Sequence, residues 1–282
     1  MNADIALLIS DVDGTLVNHD KVLPGEAIAA ASALREAGIA FTLTSARPPF
    51  GMRKVVEALG VTLPIGGFNG GLLVDTNGDV LERHPIDPEI AREAVKIVQE
   101  CGLDVWVYTE TDWIVSDLNG PVVARESWII DMDAHERPVT DADLDATYKI
   151  VGVSEDREKL AAAQHKLTAR FGNRVSASSS STHFVDITHP DANKGAVVHA
   201  LSKRLNIPTA RIATIGDMAN DVLMFEQSGF SIAMGNATPE VQATANVVTE
   251  TNENNGWAAA VTRYLLPSAP HKVPAHDVET ST

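Results

Sequence analysis

A short apolar run, Ile5 to Ile9, opens the chain, and similar runs recur at Ile39–Thr44 and Pro64–Phe68. Runs of this length, bounded by turn signals, read as strands buried on both faces. Between them, Pro24–Ala37 and Pro48–Leu59 carry helix formers, each with Pro at its start and a glycine, Gly38 or Gly60, in the stop position. This β-α-β-α-β order predicts a parallel sheet with helices on its faces, with Pro64–Phe68 as its third strand in sequence. The stretch "NGGLLVDTNGDVL" then reads as a hairpin turning at Asn77-Gly78.

The middle of the chain has a different rhythm. A helix at Pro88–Glu100 precedes strands at Leu103–Tyr108 and Asp112–Ser116, a helix near Val122–Ile130 and a strand at Tyr148–Val153. A helix at Asp156–Phe171 and strands near Val175–Ser178 and Phe184–Thr188 complete it. Strands joined by short turns and interrupted by helices predict an α+β unit with an antiparallel sheet. After His189-Pro190 the first pattern returns: helix Asn193–Leu205, strand Arg211–Ile215, helix Asn220–Gln227, strand "FSIAMG", short helix Pro239–Ala243, strand Val247–Val248 and helix Trp257–Leu265. The expected architecture is therefore an α/β core domain from 1–83 and 189–266, with an inserted α+β domain at 84–188. The remainder, 267–282, is rich in Pro, Ser and Thr without periodicity and is expected to be disordered.

Composition narrows the functions. The chain has 282 residues, 44% hydrophobic, with 22 basic and 38 acidic residues and a formal charge of −16. No block of Lys or Arg stands out, which disfavours nucleic acid and anionic membrane as partners. A single cysteine, Cys101, allows no internal disulfide. The first ten residues, "MNADIALLIS", lack the basic region and apolar length of a signal peptide or membrane span, so a soluble cytoplasmic protein is expected.

Four stretches carry chemistry, each where a strand ends or a helix begins. Open parallel sheets bind ligands at the carboxyl ends of their strands. The first is Asp11-Val12-Asp13-Gly14-Thr15, two like charges directly after a buried run. The second is "TLTSARP", where Ser45 caps the following helix or, with free backbone N–H groups, seats a phosphate. Arg47 in the same stretch reaches an anion or faces solvent. The third is Lys194 in "DANKGAVVHAL", a cation at a helix start, where the macrodipole favours negative charge. The fourth is "IATIGDMANDVLMF", in which Asp217 ends a strand while Asn220 and Asp221 open a helix, as N-cap acids or as a second carboxylate cluster.

Together these stretches resemble the haloacid dehalogenase-like hydrolase superfamily, whose pattern is DxDGT, a Ser or Thr after the second strand, a Lys, then GDxxND. All four elements occur here in that order, and the position of the insertion, "FNGGLLVD" and "GDMANDVLMF" resemble the Cof-type, sugar-phosphatase-like branch with a C2-type cap. "TSAR" departs from the commoner "ATGR", keeping the hydroxyl and replacing a glycine by Ala46.

The resemblance implies a Rossmann-like core with the insertion as a cap, and a Mg²⁺-dependent phosphatase acting on a small phosphorylated metabolite through an aspartyl-phosphate. It implies Asp11 as nucleophile and Asp13 as general acid and base. Asp11, Asp217 and the backbone carbonyl of Asp13 would hold Mg²⁺, with Asp221 holding a metal-bound water or orienting the set. Ser45, Arg47, Lys194 and Asn220 would bind the phosphoryl group. A phosphomutase of hexose phosphates and a non-catalytic phosphate-ligand sensor are the alternatives. A dinucleotide binder is disfavoured because no GxGxxG follows a predicted strand. Trp106, Tyr108, Trp113 and His183 are either leaving-group readers or ordinary core and surface.

Overall fold

A computed structural model describes residues 4–266; the tail expected from Pro267 onward lies outside the described residues. The first section comprises β1 (Leu7–Ser10), α1 (Gly25–Glu36), β2 (Ala40–Leu43), α2 (Arg53–Leu59), β3 (Ile65–Gly67), β4 (Leu72–Val74) and β5 (Val80–Arg83). The middle contains α3 (Pro88–Glu100), β6 (Asp104–Tyr108), β7 (Trp113–Val115), α4 (Val123–Ile130), β8 (His135–Glu136), α5 (Asp141–Leu144), β9 (Lys149–Val153), α6 (Arg157–Phe171), β10 (Ser176–Ser181) and β11 (Phe184–Thr188). The last section holds α7 (Lys194–Leu205), β12 (Ile212–Gly216), α8 (Val222–Gln227), β13 (Phe230–Ala233), α9 (Pro239–Gln242), β14 (Val247–Val248) and α10 (Gly256–Ala260).

Five strands in the order β14-β13-β12-β1-β2 form a parallel sheet. Successive side chains of a strand point to opposite faces. Leu8 accordingly packs with Ala27, Ala30 and Leu34 of α1, while Leu7 and Ile9 pack with Val197, Val198 and Leu201 of α7. Helices on both faces explain why β1 is apolar without alternation. The result is a Rossmann-like α/β core into which an α+β unit is inserted.

The third strand departs from expectation. β3 joins β4 and β5 in a separate antiparallel sheet and touches the extension of β2 through one bridge, Thr44 to Gly66. Its sequence is Ile-Gly-Gly, with little side chain to fill a covered position. A Cβ on Gly66 would lie 2.8 Å from Val197, so the strand runs too close to α7 to carry side chains there.

The inserted sheet has the order β10-β11-β9-β6-β7-β8. It is antiparallel except at its edge, where β8 pairs in parallel with β7. α3 shows why its helix was readable. Asp87 caps the amides of Glu89 and Ile90, Pro88 takes the first turn, and Ile90, Ala91, Ala94, Val95 and Val98 form the buried stripe. Trp106, Tyr108 and Trp113 are core: all are at most 2% exposed, and the last two stack with centroids 5.6 Å apart. No described helix is long and apolar enough to cross a membrane.

Candidate active site

Sheet register gathers the motifs. β1 pairs Ser10 with Ile215 on one side and with Leu43 on the other. Asp11, Asp217 and Ser45 therefore leave three adjacent strands at the same edge. Asp11, Asp217 and Asp221 are all buried, and each offers an oxygen within 4.8 Å of the other two. The turn that allows this needs glycine: Gly14 has φ +76°, and a Cβ there would collide with the Asp217 carboxylate.

Lys194, at the first turn of α7, is 1% exposed and donates to Asp11 Oδ1 at 2.6 Å and Asp221 Oδ1 at 2.5 Å. The expected misfit with the helix dipole is thus offset by two carboxylates. Burial alone would lower the lysine; the charges of Asp11 and Asp221 outweigh it and hold the ammonium protonated. Asp221 also accepts the backbone N–H groups of Asp217 and Met218, each at 2.9 Å, and so fixes the turn between strand and helix.

The cluster carries excess negative charge. Burial, against the attraction of Lys194, pushes Asp11 up to about 6. Burial and the neighbouring charges of Asp11 and Asp221 push Asp217 up to about 8. An all-oxygen donor set with one compensating lysine fits a hard divalent cation such as Mg²⁺, which uses carboxylates and retains waters. A linkage follows. The folded chain keeps protons on Asp11 and Asp217 that the unfolded chain releases near pH 4, so metal-free stability is expected to decline as pH rises through about 6 and about 8. Melting curves should show this decline, and added Mg²⁺ should raise the melting temperature more at about pH 8 than at about pH 5, by roughly 2 °C per kcal/mol recovered. A Mg²⁺ shift independent of pH would contradict it.

Asp13 lies apart from the cluster. Arg47 grips it at two points, Nε to Oδ2 at 2.6 Å and Nη2 to Oδ1 at 2.7 Å, and Lys21 adds a contact at 2.8 Å. Burial raises this carboxyl, but the two cations overcome it and hold it well below the usual carboxylate range. Arg47 is 8% exposed, so it does not face solvent; it also donates to the carbonyls of Gly51 and, on α4, Ile129. Ser45 Oγ accepts the Arg47 amide at 3.1 Å within a local turn; the helical turn that follows begins at Pro49 with Pro48 at its N-cap position, so Ser45 does not cap it. Asn220 donates to Asn69 at 3.0 Å, and its own carbonyl oxygen is buried with no protein partner.

These groups border a cavity of about 330 Å³ lined by Asp11, Asp13, Ser45, Asn220, Met218 and Leu223, together with Ser176 and Ser178 of β10. A larger groove of about 700 Å³ on the inserted unit, beside Arg92, Lys96 and Arg137, contains none of the four motifs. Further polar groups serve the site. Thr15 Oγ1 sits between Asp11 (3.3 Å) and Asp217 (3.2 Å), and Asn236 donates to Asp217 at 3.2 Å and to the Gly14 carbonyl at 2.9 Å. Thr15 was visible within DxDGT. Asn236 follows the end of "FSIAMG", and only the neighbouring position of β13 and β12 gives it meaning.

Comparison with known proteins agrees with this geometry. The chain is 28% identical to a 5-amino-6-(5-phospho-D-ribitylamino)uracil phosphatase of Bacillus subtilis, over 90% of this chain and 96% of that protein. It is 27% identical to the phosphatase YwpJ of the same organism, over 92% and 99%. The fold superposes on a haloacid dehalogenase-like hydrolase from Bacteroides thetaiotaomicron with a TM-score of 0.83 at 23% identity, covering 92% of this chain and 99% of that one. The family model for haloacid dehalogenase-like hydrolases matches residues 8–261, and with the four motifs assembled at one sheet edge the chain belongs to that family.

Proposed function

We propose that the protein is a cytoplasmic, Mg²⁺-dependent phosphatase that hydrolyses a small phosphomonoester through an aspartyl-phosphate, with residues 84–188 acting as a cap over a core of 1–83 and 189–266. The observation that carries this reading is the Lys194-bridged carboxylate cluster placed beside a separately held Asp13 on one cavity. Binding alone does not need a second, cation-gripped carboxylate.

Asp11 attacks phosphorus as the bond to the leaving oxygen breaks, and Asp13 gives that oxygen a proton. Water then loses a proton to Asp13 and attacks the aspartyl-phosphate, releasing phosphate and restoring Asp11. General acid and base assistance of this kind is worth about 10²–10⁴ in rate. An anionic nucleophile meeting an anionic phosphate is opposed: two unit charges about 4 Å apart repel by roughly 4 kcal/mol at an effective dielectric near 20. Mg²⁺, held by Asp11, Asp217 and the Asp13 carbonyl with Asp221 in support, would supply the countercharge. Lys194 supplies more, and Ser45 and Asn220 present donors to the phosphoryl oxygens.

Arg47 and Lys21 keep Asp13 ionised, the state required of a base. Service as an acid further requires Asp13 to be released from Arg47 and to take up a proton, from solvent or from the incoming phosphomonoester, before passing it to the leaving oxygen; the incoming phosphate offers the guanidinium an alternative partner. Ser176 and Ser178 also line the cavity, and their hydroxyls would suit a polyhydroxylated leaving group. Cap closure would exclude bulk solvent while the phosphoryl group passes to Asp11, and opening would release the alcohol and admit the water that hydrolyses the intermediate.

A panel of phosphorylated metabolites, from hexose phosphates to ribityl, pyridoxal and flavin phosphates, tests the reading through phosphate release. Release with Mg²⁺, loss with EDTA and recovery on re-addition are expected. Transfer between sugar positions with little free phosphate would indicate a mutase, binding without release a sensor, and full activity after metal stripping would refute the metal requirement.

A further inference from the structure

Two linkers join the core to the inserted unit, one leaving β5 of the three-stranded sheet and one returning from β11, and each carries a histidine. His84 follows β5 on the outgoing strand of chain, and His189 follows β11 on the return. Their rings lie with centroids 5.6 Å apart, inclined by 31°. Asp191 joins them: one ligand atom from each of His84, His189 and Asp191 falls within 4.8 Å of the other two. The local turn explains this third member. The Ala192 amide bonds back to the His189 carbonyl at 2.9 Å, which brings the Asp191 carboxylate to 3.9 Å from His189 Nδ1.

Nothing in the proposed phosphoryl chemistry uses these residues. Both imidazoles are half-buried. Among the described residues the His84 ring has no hydrogen-bond partner, although its backbone N–H is fixed on the Gly71 carbonyl at 2.8 Å. A neutral imidazole ligates metals through its lone pair. Two imidazoles and one carboxylate suit a borderline cation, with a water completing four-coordination; Mg²⁺ prefers oxygen donors.

We propose that His84, His189 and Asp191 form a binding site for a borderline divalent metal ion such as Zn²⁺, separate from the carboxylate cluster at Asp11, that ties the two linkers together. At His189 Nδ1 the ion takes the lone pair now accepting the Asp191 amide at 3.1 Å, and the turn retains its Ala192 bond. Occupancy spans both linkers, so it fixes one angle between the inserted unit and the core. The return linker runs directly into Lys194, which places the ion one short turn from the phosphatase machinery.

The test is titration of the metal-stripped full chain with Zn²⁺ by calorimetry, and with Co²⁺ by visible absorption, both in millimolar Mg²⁺. One equivalent bound through these residues is expected, weakened at least tenfold in each of His84→Ala, His189→Ala and Asp191→Asn. Binding should persist in Asp217→Asn, which alters the carboxylate cluster, and in His135→Ala, a control on the inserted unit. Asp191 is exposed, so its substitution leaves the fold intact and keeps the comparison sound should a histidine variant misfold. Equal affinity in wild type and Asp191→Asn, or a loss confined to Asp217→Asn, overturns the proposal. Because the readout is binding, the result is independent of whether any phosphomonoester is hydrolysed.

Discussion

Replacing Asp11 with Asn is expected to reduce phosphate release by about 10⁴-fold or more, since the amide is no nucleophile and the residues around it act as a unit. The substitution is nearly isosteric, and Asp11 is 4% exposed, so packing changes little. Its electrostatic consequence runs opposite to its catalytic one. In the metal-free protein Asp11 is one of three buried carboxylates, and its charge is among the causes that push Asp217 up. Removing it relieves that repulsion while leaving Lys194 its bond to Asp221. The variant should therefore melt no lower than wild type at about pH 8 in the absence of Mg²⁺. An inactive variant that also loses many degrees would report unfolding, and an active one would remove Asp11 from the reaction. The informative result is the combination of lost turnover with retained or higher stability, because a merely structural carboxylate would give neither.

That Asp11 could be singled out at all reflects how a parallel sheet encodes its site. A buried strand is apolar on both faces, so a carboxylate directly after one stands out against Leu7, Leu8 and Ile9. The same contrast marks Asp217 after β12. Helix α3 was readable because its cap, its proline and its apolar spacing agree. β3 differs from expectation because an Ile-Gly-Gly segment at the expected place in a β-α-β-α-β order looks like the next parallel strand, whereas its close approach to α7 is a tertiary fact. β8 gave no signal, since His135 and Glu136 are exposed and are held by backbone pairing to β7. Lys21 was also unmarked, and Asn69 stood only within "FNGGLLVD", without a role of its own. Lys21 sits in a polar loop and acquires meaning through Asp13, and Asn69 through Asn220, 151 residues away. The inserted aromatics were ambiguous for the opposite reason: apolar strands supply core whatever the function, and Trp106, Tyr108 and Trp113 went to core.

Lys194→Met should have the largest effect on stability. Met nearly preserves the volume of the buried stem, so the change isolates the charge. Lys194 donates to two carboxylates that are themselves at most 6% exposed in their side chains. Breaking a buried ion pair by removing one partner typically destabilises by about 3–5 kcal/mol, because the remaining charge is left uncompensated. Here two charges are left, and they repel each other. Asp11, which burial already pushes up to about 6, can escape by binding a proton, so the penalty depends on pH. At about pH 5 protonation neutralises much of the cluster and the variant should melt close to wild type; at about pH 8 the proton is harder to retain and the gap should widen. Turnover should be lost at both, since the phosphoryl group loses a cation and Asp11 its partner. Adding Asp221→Asn to Lys194→Met tests the cause directly. If repulsion is responsible, the double variant recovers stability at about pH 8, with a coupling energy of about 0.5–3 kcal/mol. A pH-independent deficit with no recovery would instead mean that Lys194 acts through packing at the start of α7, and the charge-balanced cluster would no longer explain why a lysine occupies that helix terminus.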